Sequence, residues 1–194
     1  MSTRRTHSEL ALAEAACVPV ASRPSAQVLV GGLGLGFTLR AALGHLGTDA
    51  TAVVAEIVPA VIDWNRNPEY GLGGDALRDP RVVIRQADVL DVIRESTDAF
   101  DAIMLDIDNG ANAITNAGNQ ALYSAKGIRA TVKALRTGGL VVYWSAVADV
   151  RFAKALRSEG LEVSTIRSRA HTTAGPQHEL IVARAPDATG PLAR

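Results

Sequence analysis

Val28-Leu29-Val30-Gly31-Gly32-Leu33-Gly34-Leu35-Gly36-Phe37-Thr38-Leu39-Arg40 is the stretch that decides the fold. A short apolar run meets a cluster of glycines, and Leu39, Ala42, Leu43 and Leu46 follow at helical spacing. The pattern predicts a strand, a tight turn and a helix N-terminus, the arrangement with which an α/β sheet holds a nucleotide-like ligand. Glycine is required because the backbone must turn sharply and approach the ligand with no Cβ in the way.

The same alternation continues in both directions. Residues 8–20 read as a helix with Ser8 as its cap and an apolar stripe of Leu10, Ala13, Ala16 and Cys17. After the turn, a helix to about Leu46 stops at Gly47, and residues 52–57 form a second apolar strand ending on Glu56. Pro59 suits the first turn of the next helix, to Asn67. Residues 81–86 and 101–106 are the third and fourth strands, with a short helix over residues 89–94 between them. A polar loop is expected over residues 107–120. A helix over residues 124–135, closed by Gly138-Gly139, leads to a fifth strand over residues 140–144. Asp149 caps a helix over residues 150–158, and strands over residues 161–166 and 179–183 end the pattern.

Nearly all-apolar strands alternating with helices predict a Rossmann-like, doubly wound, mostly parallel α/β sheet of seven strands. The last two strands lack a helix between them. Their connection, residues 168–177, is too short for a parallel crossover, so they are expected to close the sheet as an antiparallel hairpin. At 194 residues the chain is expected to form one domain, with residues 1–25 as a helical lead-in and residues 186–194 as a flexible tail.

Composition narrows the function classes. The formal net charge is zero, which argues against nucleic-acid or membrane-surface binding, and the apolar runs are too short to span a bilayer. The N-terminus lacks a secretory signal's long apolar segment, and the one cysteine, Cys17, lies in an apolar helical segment as a small core side chain. Both point to the cytoplasm. No set of His, Cys and acids has metal-ligand spacing, and no nucleophile elbow is present.

Acids recur after successive strands: Glu56, Asp88, then Asp106 and Asp108. In an open α/β sheet that carboxyl edge is where ligands bind. Glu56 follows Gly36 by 20 residues, the spacing at which an acid accepts hydrogen bonds from ribose hydroxyls. The glycines Gly32, Gly34 and Gly36 form G-x-G-x-G, with Phe37 where a dinucleotide fingerprint has its third glycine. The turn therefore suits an adenosyl group without a pyrophosphate.

These features together resemble the class I S-adenosylmethionine-dependent methyltransferase fold, in its spermidine synthase-like branch. The resemblance runs from Val28 to Ala146. It is carried by the glycine turn; by Ala55-Glu56-Ile57-Val58-Pro59-Ala60-Val61-Ile62; by Asp79-Pro80-Arg81-Val82 with Ala87-Asp88; by Phe100-Asp101-Ala102-Ile103-Met104-Leu105-Asp106; and by Leu122-Tyr123-Ser124 through Leu140. It implies that S-adenosylmethionine is the cofactor and S-adenosylhomocysteine the product. Glu56 would hold the ribose, Ile57 would pack on the adenine, Asp88 would accept from the adenine amino group with Val89 beside it, and Asp106 would be a catalytic carboxylate.

The chain also departs from that branch. Leu35 stands where the aminopropyltransferases carry an acid in the turn, Asn109 stands at their second active-site acid, and the chain is expected to lack their N-terminal β-hairpin domain. The expectation is a methyltransferase acting on a small molecule. The alternatives are a polyamine aminopropyltransferase using decarboxylated S-adenosylmethionine, and a non-catalytic binding module. Asp106 and Asp108 are the candidate bases; Asn109, Tyr123, Trp144 and His178 are candidate acceptor contacts, with His171 a further candidate base. A sheet without an added domain leaves apolar surface, so a homodimer is expected.

Overall fold

The computed structural model describes residues 7–106, 117–146, 148–169 and 177–187. Seven strands form one sheet: β1 (Gln27–Gly31), β2 (Thr51–Ala55), β3 (Val82–Arg85), β4 (Phe100–Leu105), β5 (Leu135–Ser145), β6 (Glu162–Arg169) and β7 (Gln177–Arg184). Their order is β3-β2-β1-β4-β5-β7-β6. The first five strands in this order run parallel, and β7 pairs antiparallel with both β5 and β6. This is the class I methyltransferase arrangement that the sequence predicts, terminal hairpin included.

The helices are α1 (His7–Cys17), α2 (Phe37–His45), α3 (Pro59–Arg66), α4 (Gly74–Leu77), α5 (Val89–Glu95), α6 (Ala117–Tyr123), α7 (Ala125–Ala134) and α8 (Val150–Ser158). Because successive strand residues face opposite sides, the apolar strands divide into two cores. Val28, Val30, Ala102, Met104, Leu140 and Val142 pack with α1, α2 and Ile62 of α3. Leu29, Ile103, Leu105, Val141 and Tyr143 pack with α5, α7 and α8 through Ile93, Ile128 and Leu156. Helices on both faces explain why the central strands carry almost no polar side chains.

Several expectations need correction. The buried stripe of α1 is Ser8, Leu12, Ala13, Ala16 and Cys17, with Leu10 turned outward at 47% exposure. Helix α1 already includes His7, so Ser8 is an interior residue instead of a cap. The expected loop over residues 107–120 ends early, because α6 starts at Ala117 and is anchored by the buried Leu122. Gly138-Gly139 does not close a helix: α7 stops at Ala134, and both glycines lie inside β5, where its register against β4 shifts between Phe100 and Ala102. Cys17 is fully buried beside Met104, and burial pushes its thiol up to about 12, which fits an inert core position.

Two ion clusters brace the amino edge of the sheet. Arg81, at the entry to β3, pairs with Asp79 and donates to the carbonyls of Leu46 and Gly47 at the end of α2. The side-chain hydrogen bond from Arg81 holds the Asp79 carboxyl down to about 2. Asp101, at the start of β4, has its side chain 3% exposed. It accepts from Arg23 at 2.9 Å, from Arg136 at 2.7 Å and from the backbone N–H of Gln27 at 2.8 Å. Burial pushes its pKa up, but the Gln27 N–H and the two guanidinium groups outweigh this and leave it below the ordinary carboxylate range.

Asp101→Asn is therefore expected to destabilise the fold by about 2 kcal/mol near neutral pH. A lowered folded-state pKa makes this contribution complete above the unfolded carboxyl pKa of about 4 and lost as pH falls through the folded value. Denaturant unfolding from pH 7 downward should show the wild-type and variant stabilities converging below about pH 4.

Candidate active site

The sheet order reverses between β1 and β4, and the crevice outside the carboxyl ends of those strands is where such folds bind ligands. Gly31 is the register partner of Ala55 on one side and Leu105 on the other. The next residues along the three strands are Gly32, Glu56 and Asp106, so the register itself brings the glycine turn and two of the predicted acids to one edge. Gly32, Gly34 and Gly36 all have positive φ, at 88°, 53° and 79°, a backbone that L side chains rarely adopt.

Glu56 is buried, 7% exposed, and both of its carboxylate oxygens are engaged by backbone. Oε2 accepts from Leu33 N at 2.9 Å inside the turn, and Oε1 accepts from Val58 N at 2.8 Å ahead of α3. A carboxylate has about four acceptor positions, so each oxygen can accept a further hydrogen bond. Ile57, next to it, is 62% exposed, an apolar side chain facing solvent beside a buried acid. Asp88 caps α5, its Oδ1 accepting from Leu90 N at 2.8 Å, with Val89 following as the first residue of that helix. One carboxylate oxygen of Asp88 thus serves the fold.

Asp106 is half-buried, one residue past the end of β4. Its charge reaches Tyr123 of α6: burial raises the Tyr123 phenol to about 12, with Asp106 and then Asp149 adding to the effect. Tyr123 packs on the core side chains Tyr143 and Phe152, with ring centroids 5.8 Å and 5.0 Å away. Trp144 is half-buried one residue beyond the β5 residue that pairs with Leu105, and its ring lies 4.8 Å from that of His178 on β7. The structure thus brings Asp106 and Tyr123 within electrostatic reach of each other, and Trp144 and His178 into contact. Asp108, Asn109 and His171 lie outside the described residues. Among the described residues, no group of three or more His, Cys, Asp or Glu side chains could hold a metal ion.

One residue with a direct hold on the turn escaped the sequence reading. Asn65, on α3, is 1% exposed. Its Nδ2 donates to Gly34 O at 2.8 Å and to Val61 O at 2.9 Å, while its Oδ1 accepts from Gly73 N at 3.0 Å. The signal was an asparagine on the inward side of a helix, one turn beyond Val61, which looks like a solvated polar position until the helix is docked.

No protein-family model matches this chain, and no curated protein matches it significantly. Solved structures do. A spermidine synthase in complex with the transition-state analogue AdoDATO matches with a TM-score of 0.67 at 22% identity, covering 91% of this chain and 59% of that one. The spermidine synthase from Thermotoga maritima gives 0.68 at 19% identity with the same coverages of 91% and 59%. The Escherichia coli protein yhhF, provisionally assigned as a methyltransferase, gives 0.58 at 15% identity, covering 95% of this chain and 88% of that one. The chain thus spans about 59% of the length of the two synthases. At these identities the likeness establishes the fold, the one that class I methyltransferases and spermidine synthases share.

Two outcomes follow from the geometry. Glu56→Gln turns one acceptor into a donor facing a backbone N–H and should cost about 1–3 kcal/mol of stability by denaturant unfolding. Asp106→Asn removes a negative charge near a phenol whose ionised form is also negative, so Tyr123 should ionise at lower pH. Tyrosinate absorbance, taken as the difference from a Tyr123→Phe background, reads this directly.

Proposed function

We propose that this chain is a transferase that binds an adenosyl sulfonium donor at the carboxyl edge of β1, β2 and β4 and passes a carbon group to a small-molecule acceptor. The observation that carries the reading is Glu56: a buried carboxylate, fixed by Leu33 N and Val58 N, with spare acceptor capacity beside a positive-φ glycine turn. In this reading Glu56 takes the ribose hydroxyls, Ile57 and Val89 flank the adenine, and Asp88 accepts from the adenine amino group. The donor's remaining tail then lies along Gly32, Gly34 and Gly36. When bound, the donor supplies a carbon activated by a positively charged sulfur. In this reading Asp106, half-buried past the end of β4, takes up the proton that the acceptor loses as its new bond forms. Tyr123 and Trp144 wall the acceptor side; the Tyr123 hydroxyl and Trp144 Nε1 have no hydrogen-bond partner among the described residues.

The likeness to two spermidine synthases, closer than that to yhhF, favours aminopropyl transfer from decarboxylated S-adenosylmethionine to an amine over the methyl transfer expected from sequence. One observation favours methyl transfer as a second reading. Leu35 occupies the turn position where an acid would meet the cationic end of a decarboxylated donor, and a cation set there would lack a countercharge from that residue.

Isothermal titration tests both. The protein should bind S-adenosylhomocysteine or decarboxylated S-adenosylmethionine, and Glu56→Ala should weaken binding about thirtyfold or more. Preference for the decarboxylated donor over S-adenosylmethionine supports aminopropyl transfer, and the reverse preference supports methyl transfer. Binding of neither ligand overturns the proposal.

A further inference from the structure

We infer that Asn65 is a positioning residue that sets the glycine turn in its donor-binding shape by latching it to the Gly73 segment. This rests on the donor reading above. The Asn65 carboxamide makes three of the four hydrogen bonds open to it, all to backbone, from a site 1% exposed to solvent. Its orientation is fixed by these partners: reversing the amide would face its oxygen toward the carbonyls of Gly34 and Val61 and its NH2 toward the N–H of Gly73. One side chain thus joins the middle of the turn to the body of α3 and to the segment ahead of α4.

The surrounding backbone agrees. A Cβ on Gly36 would lie 2.7 Å from Gly73 Cα, and one on Gly73 would lie 2.8 Å from Gly36 Cα and from Asn65 Oδ1. The two glycines are therefore in backbone contact, and only glycine permits it at either position. Arg40, in α2, adds a second tie by donating to Leu72 O at 2.9 Å. Asn65 and Arg40 thus tie the turn and α2 to residues 72–73, and Asn65, 1% exposed, acts through the main chain of the turn. Of the five turn residues only Leu33 packs in the core, and Glu56 holds its N–H; the Gly34–Gly36 half has no such anchor, and Asn65 supplies one.

The test separates positioning from general stability by comparing ligands that differ only in the tail. S-adenosylhomocysteine and 5′-methylthioadenosine share the adenosyl thioether, but only the first carries the amino-acid tail that lies along the turn. Asn65→Asp keeps the shape, removes both N–H donors and faces a carboxylate oxygen toward two carbonyl oxygens. It should weaken S-adenosylhomocysteine about tenfold or more while changing 5′-methylthioadenosine about threefold or less. Asn65→Ser, a milder change, should show the same direction. Amide hydrogen exchange of Gly73 in Asn65→Ser should accelerate while Ile103, in the core of β4, stays protected. An unchanged ratio of the two affinities in both variants, with the wild type binding both ligands, overturns this inference and leaves the donor reading standing. A wild type that binds neither ligand overturns the donor reading, while accelerated Gly73 exchange would still support the latch itself.

Discussion

The carboxyl edge of this protein depends on where one carboxylate is anchored. Glu56 bonds the turn through Leu33 N and the start of α3 through Val58 N, while its main chain joins Arg85 at the end of β3 and Ala87 just beyond it. Three consecutive units of the fold therefore meet at a single buried acid. Two ionic hydrogen bonds of about 1.5–3 kcal/mol each outweigh the cost of burying this carboxylate only because both oxygens are satisfied. The same satisfaction leaves it rigid, which is what a group that recognises neighbouring hydroxyls requires.

Around that anchor, the packing is arranged so that each strand brings one useful residue to the edge. The period-2 split of β1, β4 and β5 between two cores fixes their register, since a one-residue slip would exchange the faces of Val30, Met104 and Val142 with those of Leu29, Ile103 and Val141. With the register fixed, Gly32, Glu56 and Asp106 come level. The edge is thus an outcome of the core, and of the glycine turn only Leu33 packs in that core, leaving the Gly34–Gly36 part to other contacts. That part falls to Asn65 and Gly73.

Much of this could be read from the residues in order. Apolar strands, the glycine cluster and the acids after Ala55 and Leu105 are local signals, and the strands form where the pattern predicts them, with the glycines and acids following them at one edge of the sheet. What was not legible has a common physical character. Leu10 and Leu12 differ by two positions on one helix, and only docking against the sheet decides which is covered. The start of α6 depends on Leu122 finding a buried seat, a tertiary event in a segment whose composition reads as loop. Gly138 and Gly139 look like a helix stop, yet they serve a register shift between β4 and β5. Asn65 and Gly73 are ordinary in sequence and acquire their roles only through residues about 30 and 37 positions away.

Asp101 lies near the start of β4, in an ion cluster, and Asp106 lies one residue past its end. Five residues of strand place them about 16 Å apart. The two therefore sit on one stiff rod whose foot is bolted to Arg23, Arg136 and Gln27 N. Any slide of that rod would break a buried ionic cluster before it displaced the candidate base by one residue. Asp101 thus acts as a depth stop for the strand that leads to Asp106.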